Sequence, residues 1–210
     1  MARSLFPISE LNSSRSWKIL CYSQVPVKFF FEAVAGKNPF PDVEVFDLAG
    51  KALYKYRSVM DDQFYMMLAI KEAKRAEAMD EVPVGAVVVD ETNKVIGHGF
   101  NQPISTSDPT SHAEINAIRM AAENLGNYRL TGASLYVTIE PCIMCMGAII
   151  HARIKRLVFG AGDPKWGAVH SLYEMADDPR LNHRLNVTSG VCEEITRNLI
   201  KGFFRNKRSK

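Results

Sequence analysis

The sequence has 210 residues and a mass of 23.5 kDa, with 47% hydrophobic and 23% charged residues. These proportions are typical of a soluble globular protein, and they exclude a disordered chain, a disulfide scaffold and a large multidomain assembly. Its four cysteines favour a reducing compartment, its net charge of +3 does not by itself indicate a nucleic-acid partner, and no apolar run approaches the ~20 residues of a membrane helix.

Residues 1–59 form the first segment, and they show neither a helical nor a strand period. The segment mixes serines, aromatics, prolines and glycines, and its first thirty residues carry four basic side chains against one acid, Glu10. We predict an N-terminal extension of unknown fold. Three interpretations stay open for it: a tail, an organelle-targeting segment, or translation assigned from a start codon upstream of Met60.

The regular part of the chain begins at residue 60. A helix is predicted from Asp61 or Asp62, either of which can cap it, to about residue 79, because apolar residues recur at helical spacing. Two β-rich runs separated by a turn-forming cluster then predict a hairpin, and a loop follows it. These three elements span residues 84–89, 95–100 and 101–110.

Helices and strands alternate over the rest of the chain. The helix after the loop is predicted to start at Ser111, whose side chain can cap it, and to close at Gly126. This alternation predicts an α/β architecture, in which helices cover a sheet. The later elements are a strand at 134–139, a helix from Pro141 to about 151, strands at 156–159 and near 187–191, and an amphipathic helix to the C-terminus.

His112 and a cysteine pair carry the chemistry that the sequence indicates. Cys142 and Cys145 are three residues apart on a predicted helix, so both thiols can reach one metal ion, with His112 as the third ligand. Three protein ligands leave a fourth position for water, which is typical of catalytic zinc. Both ligand groups fall at predicted helix starts, where the helix dipole favours thiolates. Glu114 is the predicted base beside the water.

Each of these residues also has a structural interpretation. Ser111 and Glu114 match a capping box, the two cysteines could be buried small apolar side chains, and His112 could be an ordinary structural histidine. Their joint occurrence favours the metal site, because His-x-Glu followed by Pro-Cys-x-x-Cys is the signature of zinc deaminases.

The sequence resembles a known family over about residues 61–210. The matching stretches are VPVGA at 82–86, GFN at 99–101, DPTSHAE at 108–114, EPCIMCMGA at 140–148, HARI at 151–154, FGAGDPK at 159–165 and FFR at 203–205. This family is the bacterial tRNA-specific adenosine deaminases, within the cytidine deaminase superfamily. The resemblance implies a three-layer cytidine-deaminase-like fold, with a central mixed sheet and helices on both faces. It places the deaminase domain at residues 60–210, with a basic C-terminal helix.

The same resemblance implies hydrolytic deamination of adenosine to inosine at the wobble position of a tRNA anticodon. Zinc-activated water would attack a flipped-out adenine, with Glu114 as the proton shuttle and one Zn²⁺ per subunit on His112, Cys142 and Cys145. The implied setting is a cytoplasmic homodimer that acts on an anticodon stem-loop, of the arginine isoacceptor. Organelle targeting by residues 1–59 is the alternative location. The expected substrate contacts are Asn101, Asp163, Lys165, Phe204 and Arg205.

These substrate contacts keep structural alternatives. Asn101 could be a turn residue before Pro103, and Asp163 with Lys165 could form a solvated turn. After Glu194 the chain carries six basic residues and no acid, interleaved with two phenylalanines, which suits RNA but also suits a solvated helix face.

Two other functions compete with tRNA deamination. A deaminase of free bases or nucleosides, such as guanine or cytosine compounds, would share the zinc motif. A zinc-stabilised RNA-binding module without catalysis would need a fourth protein ligand, for which Cys192 or His151 are the candidates.

Overall fold

The computed structural model describes residues 62–208 and, before them, four strands at 16–22, 25–31, 43–46 and 52–55. The chain divides into two compact units, Met1–Val59 and Met60–Lys210. Among its described residues, the first unit contains one antiparallel sheet in the order β1-β2-β3-β4. Its strands are β1 (Ser16–Tyr22), β2 (Val25–Phe31), β3 (Val43–Phe46) and β4 (Ala52–Lys55). The sequence did not predict them, because the segment mixes serines, aromatics, prolines and glycines and shows no sustained period.

The second unit contains the predicted helices and strands in the predicted order, which confirms the α/β architecture. Its first elements are α1 (Asp62–Ala78), β5 (Gly85–Val89), β6 (Val95–Phe100), α2 (Pro103–Thr106) and α3 (Ala113–Leu125). Its later elements are β7 (Ser134–Ile139), α4 (Ile143–His151), β8 (Arg156–Ala161), β9 (Asn186–Thr188) and α5 (Glu193–Arg208). In the described part of the chain, no helix has the length and apolar content needed to cross a membrane.

The sheet of the second unit is mixed, with the strand order β6-β5-β7-β8-β9. β5 runs antiparallel to both β6 and β7, whereas β7, β8 and β9 run parallel to one another. α4 is the crossover that a parallel β7–β8 pair requires. The carboxyl ends of β7 and β8 therefore lie at the same edge of the sheet.

Helices cover both faces of this sheet, so the three-layer prediction is confirmed. Ala86 and Val88 pack in a core cluster with α3 and α4, while the alternate residues Val87 and Val89 pack in a second cluster with α1. Successive strand residues point to opposite faces, which explains the alternation. α5 contacts the sheet on the α1 side: a Cβ at Gly160 would lie 2.5 Å from Thr196 Oγ1 of α5, and Gly160 shares a face with Val158, which packs in the cluster with α1.

α3 lies unusually close to β6, and this sets the position of the residues at its start. A Cβ at Gly97 would lie 2.3 Å from the carbonyl oxygen of Ala117, and one at Gly99 would lie 2.6 Å from that of Ala113. Only glycine permits such an approach of helix backbone to strand. The close contact holds the first turn of α3 against the end of β6.

Several predicted boundaries need correction. The predicted loop 101–110 contains the short helix α2, which Pro103 begins; four residues without a buried side chain give no periodic signal. β8 continues two residues beyond the predicted end, to Ala161, and the last strand is shorter than predicted. Gly126 closes α3 as predicted, because it adopts the left-handed conformation with φ of 63°.

Candidate active site

The structure brings His112, Cys142 and Cys145 together. His112 Nδ1 lies 3.7 Å from Cys142 Sγ and 3.5 Å from Cys145 Sγ, and the three ligand atoms are all within 4.8 Å of one another. Tetrahedral zinc with ordinary Zn–N and Zn–S bonds separates such atoms by about 3.6 Å. The donor set and the spacing therefore fit zinc.

Two helices present these ligands from their N-caps. His112 precedes α3 with extended φ/ψ of −79°/156°, and Cys142 precedes α4 with −75°/173°. The predictions of Ser111 as the cap and Pro141 as a first helical residue are therefore wrong. Ser111 Oγ instead accepts a hydrogen bond from Asn116 Nδ2 (3.1 Å), and the Pro141 carbonyl accepts one from a neighbouring segment. The predicted convergence of two positive helix ends on the ligands is confirmed.

The two cysteine side chains contact each other and differ in acidity. The hydrogen bond from Cys145, together with His112, lowers the pKa of Cys142 to about 4. The same bond and burial raise the pKa of the Cys145 thiol far above its usual range. The hydrogen bond to Cys142 in turn raises the pKa of His112. A readily ionised thiol beside an imidazole is a strong ligand pair for a divalent cation.

Glu114 lies in the first turn of α3 and is only 3% exposed. Burial raises its pKa to about 7, and its carboxyl hydrogen-bonds the Cys145 thiol. A capping box is wrong here, because the cap residue is His112 and its side chain makes no capping hydrogen bond. The carboxyl thus faces the metal ligands.

Asn101 follows β6 and lies beside the start of α3. Its Oδ1 accepts a hydrogen bond from the backbone N–H of Ala113 (2.9 Å), the first residue of the helix. This bond satisfies one of the free N–H groups of the helix start and fixes the amide orientation. Among the described residues, Asn101 Nδ2 makes no hydrogen bond, so it remains a donor for a substrate.

Asn116 is a site residue that the sequence analysis missed. Its Nδ2 donates to the carbonyl of Phe100 (2.9 Å) and to Ser111 Oγ (3.1 Å). It thereby joins the residue before Asn101 to the residue before His112. A polar side chain four residues after the ligand, on the same helix face, was the only available signal.

Asp163 and Lys165 lie in the segment after β8, next to the metal ligands. Gly167 forms a β-bridge with Cys142, so this segment borders the site. Asp163 Oδ1 accepts hydrogen bonds from the backbone N–H groups of Lys165 (2.9 Å) and Trp166 (3.3 Å), which is a turn-forming role. Lys165 is exposed.

The basic C-terminal helix presents less free charge and aromatic surface than its sequence indicates. Phe203 is buried, so only Phe204, at 45% exposure, can offer a ring to solvent. Arg197 forms an ion pair with Glu193, and Lys207 forms one with Asp80 (2.5 Å). Arg205 is exposed.

The candidates for a fourth protein ligand lie elsewhere. Cys192 packs against the core cluster on the α1 side of the sheet, and His151 is an exposed residue at the far end of α4. In the described residues, only His112, Cys142 and Cys145 form a possible metal group. Among the described residues, neither candidate is therefore placed to be the fourth ligand of a closed structural zinc site.

Comparison with known proteins decides the family. Residues 59–161 match the model of the cytidine and deoxycytidylate deaminase zinc-binding region. The chain is 52% identical over 154 residues to the tRNA-specific adenosine deaminase of Haemophilus influenzae, covering 73% of this chain and 88% of that relative. The chain belongs to the tRNA-specific adenosine deaminases. Another member of this deaminase family, from Bacillus subtilis, is 44% identical over 149 residues, covering 71% of this chain and 92% of that relative.

Solved structures agree with this family assignment. One, from structural studies of A-to-I editing by tRNA:A34 deaminases at the wobble position of transfer RNA, is 48% identical with a TM-score of 0.62. It covers 64% of this chain and 97% of that one. A guanine deaminase from Nitrosomonas europaea is 22% identical with a TM-score of 0.59, covering 70% of this chain and 86% of that one, and it shows a shared fold alone. Zinc is the cofactor of the deaminase, and His112, Cys142 and Cys145 are placed to hold it.

Proposed function

We propose that this chain deaminates adenosine to inosine at the wobble position of a tRNA anticodon, with residues 60–210 as the deaminase domain. The observation that carries the proposal is a three-ligand zinc site with a buried glutamate beside it, in a chain 52% identical to a tRNA-specific adenosine deaminase. Three ligands leave room for water, and the family assigns adenosine in tRNA rather than a free base.

Zinc, when bound, supplies the Lewis acidity that makes water a nucleophile near neutral pH. Two cysteine thiolates offset the charge of the ion, so the water needs a base beside it, and Glu114 is placed to be that base. Its carboxylate takes a proton from the attacking water and delivers it to ring nitrogen N1 of adenine. It then carries the second water proton to the departing amino group, so that ammonia and inosine are the products. Burial keeps bulk water from competing for these protons.

Asn101 and the segment after β8 would hold the nucleotide. The bond from Ala113 to Asn101 Oδ1 aims the amide Nδ2 as a donor to the target base. Asp163 and Lys165 would contact flanking nucleotides, with the turn of Asp163 presenting the exposed Lys165. Water is excluded where the RNA covers these groups.

Phe204 and Arg205 would contact the RNA away from the zinc. We expect Phe204→Ala or Arg205→Ala to weaken binding of an anticodon stem-loop without changing zinc content, and Arg205→Ala to lower the salt slope by about one. Ile195→Ala is the matched control for Phe204, because Ile195 is an equally exposed apolar residue on the same helix, at 49%. Unchanged affinity for the stem-loop in both variants would show that these residues of α5 do not bind RNA and that the helix is a solvated structural element.

The setting we propose is a cytoplasmic homodimer with the arginine isoacceptor as substrate. Large apolar side chains flank the site and are exposed in a single chain, which suits coverage by a second copy. They are Ile143 (47% exposed), Trp166 (66%), Leu172 (52%) and Tyr173 (47%). Sedimentation of the purified protein would show a mass of two chains.

The decisive test compares deamination of stem-loops and of free compounds in parallel reactions. The purified chain is incubated with an arginine anticodon stem-loop that carries adenosine at the wobble position, with the same stem-loop carrying guanosine there, and with free adenosine, guanine and cytidine. We expect inosine only from the adenosine stem-loop. Conversion of a free base or nucleoside in preference to the stem-loop would favour the competing deaminase function.

A further inference from the structure

Glu140 is a buried carboxylate at the end of β7, directly before the metal-ligand segment, and it is only 2% exposed. Its Oε1 accepts three consecutive backbone N–H groups, from Val169 (3.0 Å), His170 (2.8 Å) and Ser171 (3.0 Å). Its Oε2 accepts the N–H of Asp163 (3.0 Å) and the hydroxyl of Ser171. A carboxylate with five donors is fully satisfied where it lies.

All five donors belong to one stretch of chain, residues 163–171, which we call the anchored segment. The anchored segment also borders the metal site directly, since Gly167 bridges to Cys142 and Ala168 N–H donates to the carbonyl of Pro141 (2.8 Å). Glu140 directly precedes Pro141 and Cys142 in sequence. Its carboxylate therefore joins the end of β7, which leads into the metal ligands, to the anchored segment beside them.

The anchored segment packs tightly around this carboxylate. A Cβ on Gly167 would lie 2.4 Å from Glu140 Cδ and 2.6 Å from the carbonyl oxygen of Asp163. The Gly167 N–H in turn donates to that same carbonyl (2.8 Å). The anchored segment therefore folds around the Glu140 carboxylate, which bonds it at both ends.

Glu140 is not suited to proton transfer. Both oxygens are occupied by donors from its own chain, so neither is open to a substrate proton. Its contribution must come through the groups it holds.

We propose that Glu140 is the positioning residue that fixes the anchored segment, and with it Asp163 and Lys165, at a set place beside the zinc ligands. The RNA part of this inference rests on the proposed function. The anchoring itself does not, because it concerns the placement of a segment within the free protein.

Trp166 makes the inference measurable. The chain has two tryptophans, Trp17 and Trp166, and the second lies in the anchored segment with 66% exposure. In a Trp17→Phe background, the fluorescence anisotropy decay of Trp166 reports nanosecond motion of the segment in the full-length zinc-loaded protein. Glu140→Gln keeps the shape but replaces one acceptor oxygen by a donor that faces N–H groups.

For Glu140→Gln we expect a larger fast component in the fluorescence anisotropy decay of Trp166, with zinc content unchanged at one per chain. KM for the stem-loop should rise by about tenfold, whereas kcat should stay within about threefold of the wild-type value. Ser171→Ala, which removes only one donor, should move both readouts in the same direction by less and covers the case that Glu140→Gln does not fold. Glu81→Gln is the control, because Glu81 is equally buried but bonds Ser105 outside the segment (2.7 Å). It should leave the Trp166 decay unchanged.

An unchanged Trp166 decay in both Glu140→Gln and Ser171→Ala would overturn the inference, and so would loss of zinc with KM unchanged. The two proposals fail separately. If the wild-type chain makes no inosine from the stem-loop while Trp166 responds to Glu140→Gln, the proposed function fails and the anchoring stands. If the wild-type chain is active and Glu140→Gln changes neither the Trp166 anisotropy decay nor KM for the stem-loop, only the anchoring fails.

Discussion

His112 and Cys142 hold the same local position in two different helices, since each is the residue that precedes the first helical turn. Residues at this position usually turn a side-chain oxygen onto the free N–H groups of the helix. Neither ligand does so, which leaves both side chains free for metal and both helix ends directed at the site. Asn101 provides the missing acceptor for Ala113 from outside the helix. Capping and metal binding are thus divided between different residues.

Removal of the Glu114 carboxylate tests its role as proton carrier. We expect Glu114→Gln to retain zinc and stem-loop affinity but to lose at least ~10²-fold in kcat, the low end for a removed general acid or base. Glu123→Gln, an exposed glutamate on the same helix, is the control and should keep full turnover. The measurements are single-turnover inosine formation and zinc content. Near-normal turnover in Glu114→Gln would contradict the mechanism.

Removal of a metal ligand should uncouple zinc from the fold. Cys142→Ser, Cys145→Ala and His112→Ala should each lose most bound zinc, because each removes one of three ligands. The melting temperature should fall as well, since metal binding free energy adds to stability. Cys192→Ser is the control, because Cys192 packs on the other side of the sheet. Full zinc occupancy in all three ligand variants, by elemental analysis, would disprove the assignment.

His112, Cys142, Cys145 and Glu114 could be predicted from sequence because their residue types and spacing are themselves the signal, and the structure brings them together. Sequence reasoning could not assign Glu140 or Asn116, whose partners are backbone groups and a serine brought close by folding. Glu140, for example, bonds N–H groups that lie 23 to 31 residues further along the chain. Backbone donors leave no trace in a pattern of residue types, so the structure was needed.

At the level of secondary structure, α3 covers the edge of the sheet. Asn116 and Asn124 donate to carbonyls of β6 (2.9 and 2.8 Å), and Met120 Sδ accepts the N–H of His98 (3.5 Å). These residues recur every four positions, so they form one row on the helix. The row satisfies backbone groups that an edge strand would otherwise expose, and it fixes α3 along the strand.

A methyl group between β6 and α3 should disturb both stability and the site. Gly97→Ala would place a Cβ 2.3 Å from backbone of Ala117, so we expect the free energy of unfolding to fall by about 1–3 kcal/mol and zinc affinity to weaken as His112 moves. Gly202→Ala in α5 is the control, because a Cβ there meets no atom within 4 Å. It should be neutral or stabilising by up to ~1 kcal/mol. Equal denaturant midpoints for the two variants would contradict this account of the contact.

A network at the start of α1 joins that helix to the sheet. Arg156 at the start of β8 donates two hydrogen bonds of 2.7 Å to Asp62, and Tyr136 of β7 donates a third (3.1 Å). Arg156 also donates to Thr188 of β9 (2.9 Å). The hydrogen bonds from Arg156, despite burial, hold the pKa of Asp62 below its ordinary value of 3.8.

The stability contributed by this network should depend on pH in a defined direction. Because the folded pKa of Asp62 is lower than the unfolded one, the contribution is present above pH 3.8 and is lost as the pH falls through the folded value. Asp62→Asn should therefore be less stable than wild type at pH 7, and the difference should shrink below about pH 4. Urea unfolding at several pH values measures it. A gap that stays constant or widens in acid would contradict the assignment.

Helices and strands whose apolar residues recur at a regular spacing were predicted from sequence, and those without such a spacing were not. The hairpin β5–β6 and the strand β7 alternate or form apolar runs, and Gly126 marks the end of α3 unambiguously. α2 has four residues and buries none of them, so no periodicity exists to be found. Helix starts were misplaced by one or two residues, because ligand residues occupy positions that sequence rules reserve for caps.

At the scale of the whole molecule, every residue of the proposed site lies in the second unit. The family match covers residues 59–161, and the relatives from Haemophilus influenzae and Bacillus subtilis align with about 150 residues of this chain while covering most of their own length. The core clusters of the sheet, on both faces, are also formed by residues of the second unit.

Residues 1–59 should not be needed for folding, zinc binding or deamination. Because the zinc ligands, Glu114 and the anchored segment all lie after residue 59, we expect the chain 60–210 expressed alone to fold cooperatively, to bind one zinc per chain and to make inosine with kcat/KM within about threefold of the full chain. The control is the full chain with Cys142→Ser, which should fail in zinc binding although its first 59 residues are intact. Intact-mass measurement of the native protein separately tests the start-codon interpretation. A truncated chain that folds and holds zinc but is inactive would show that the extension takes part in RNA binding or catalysis.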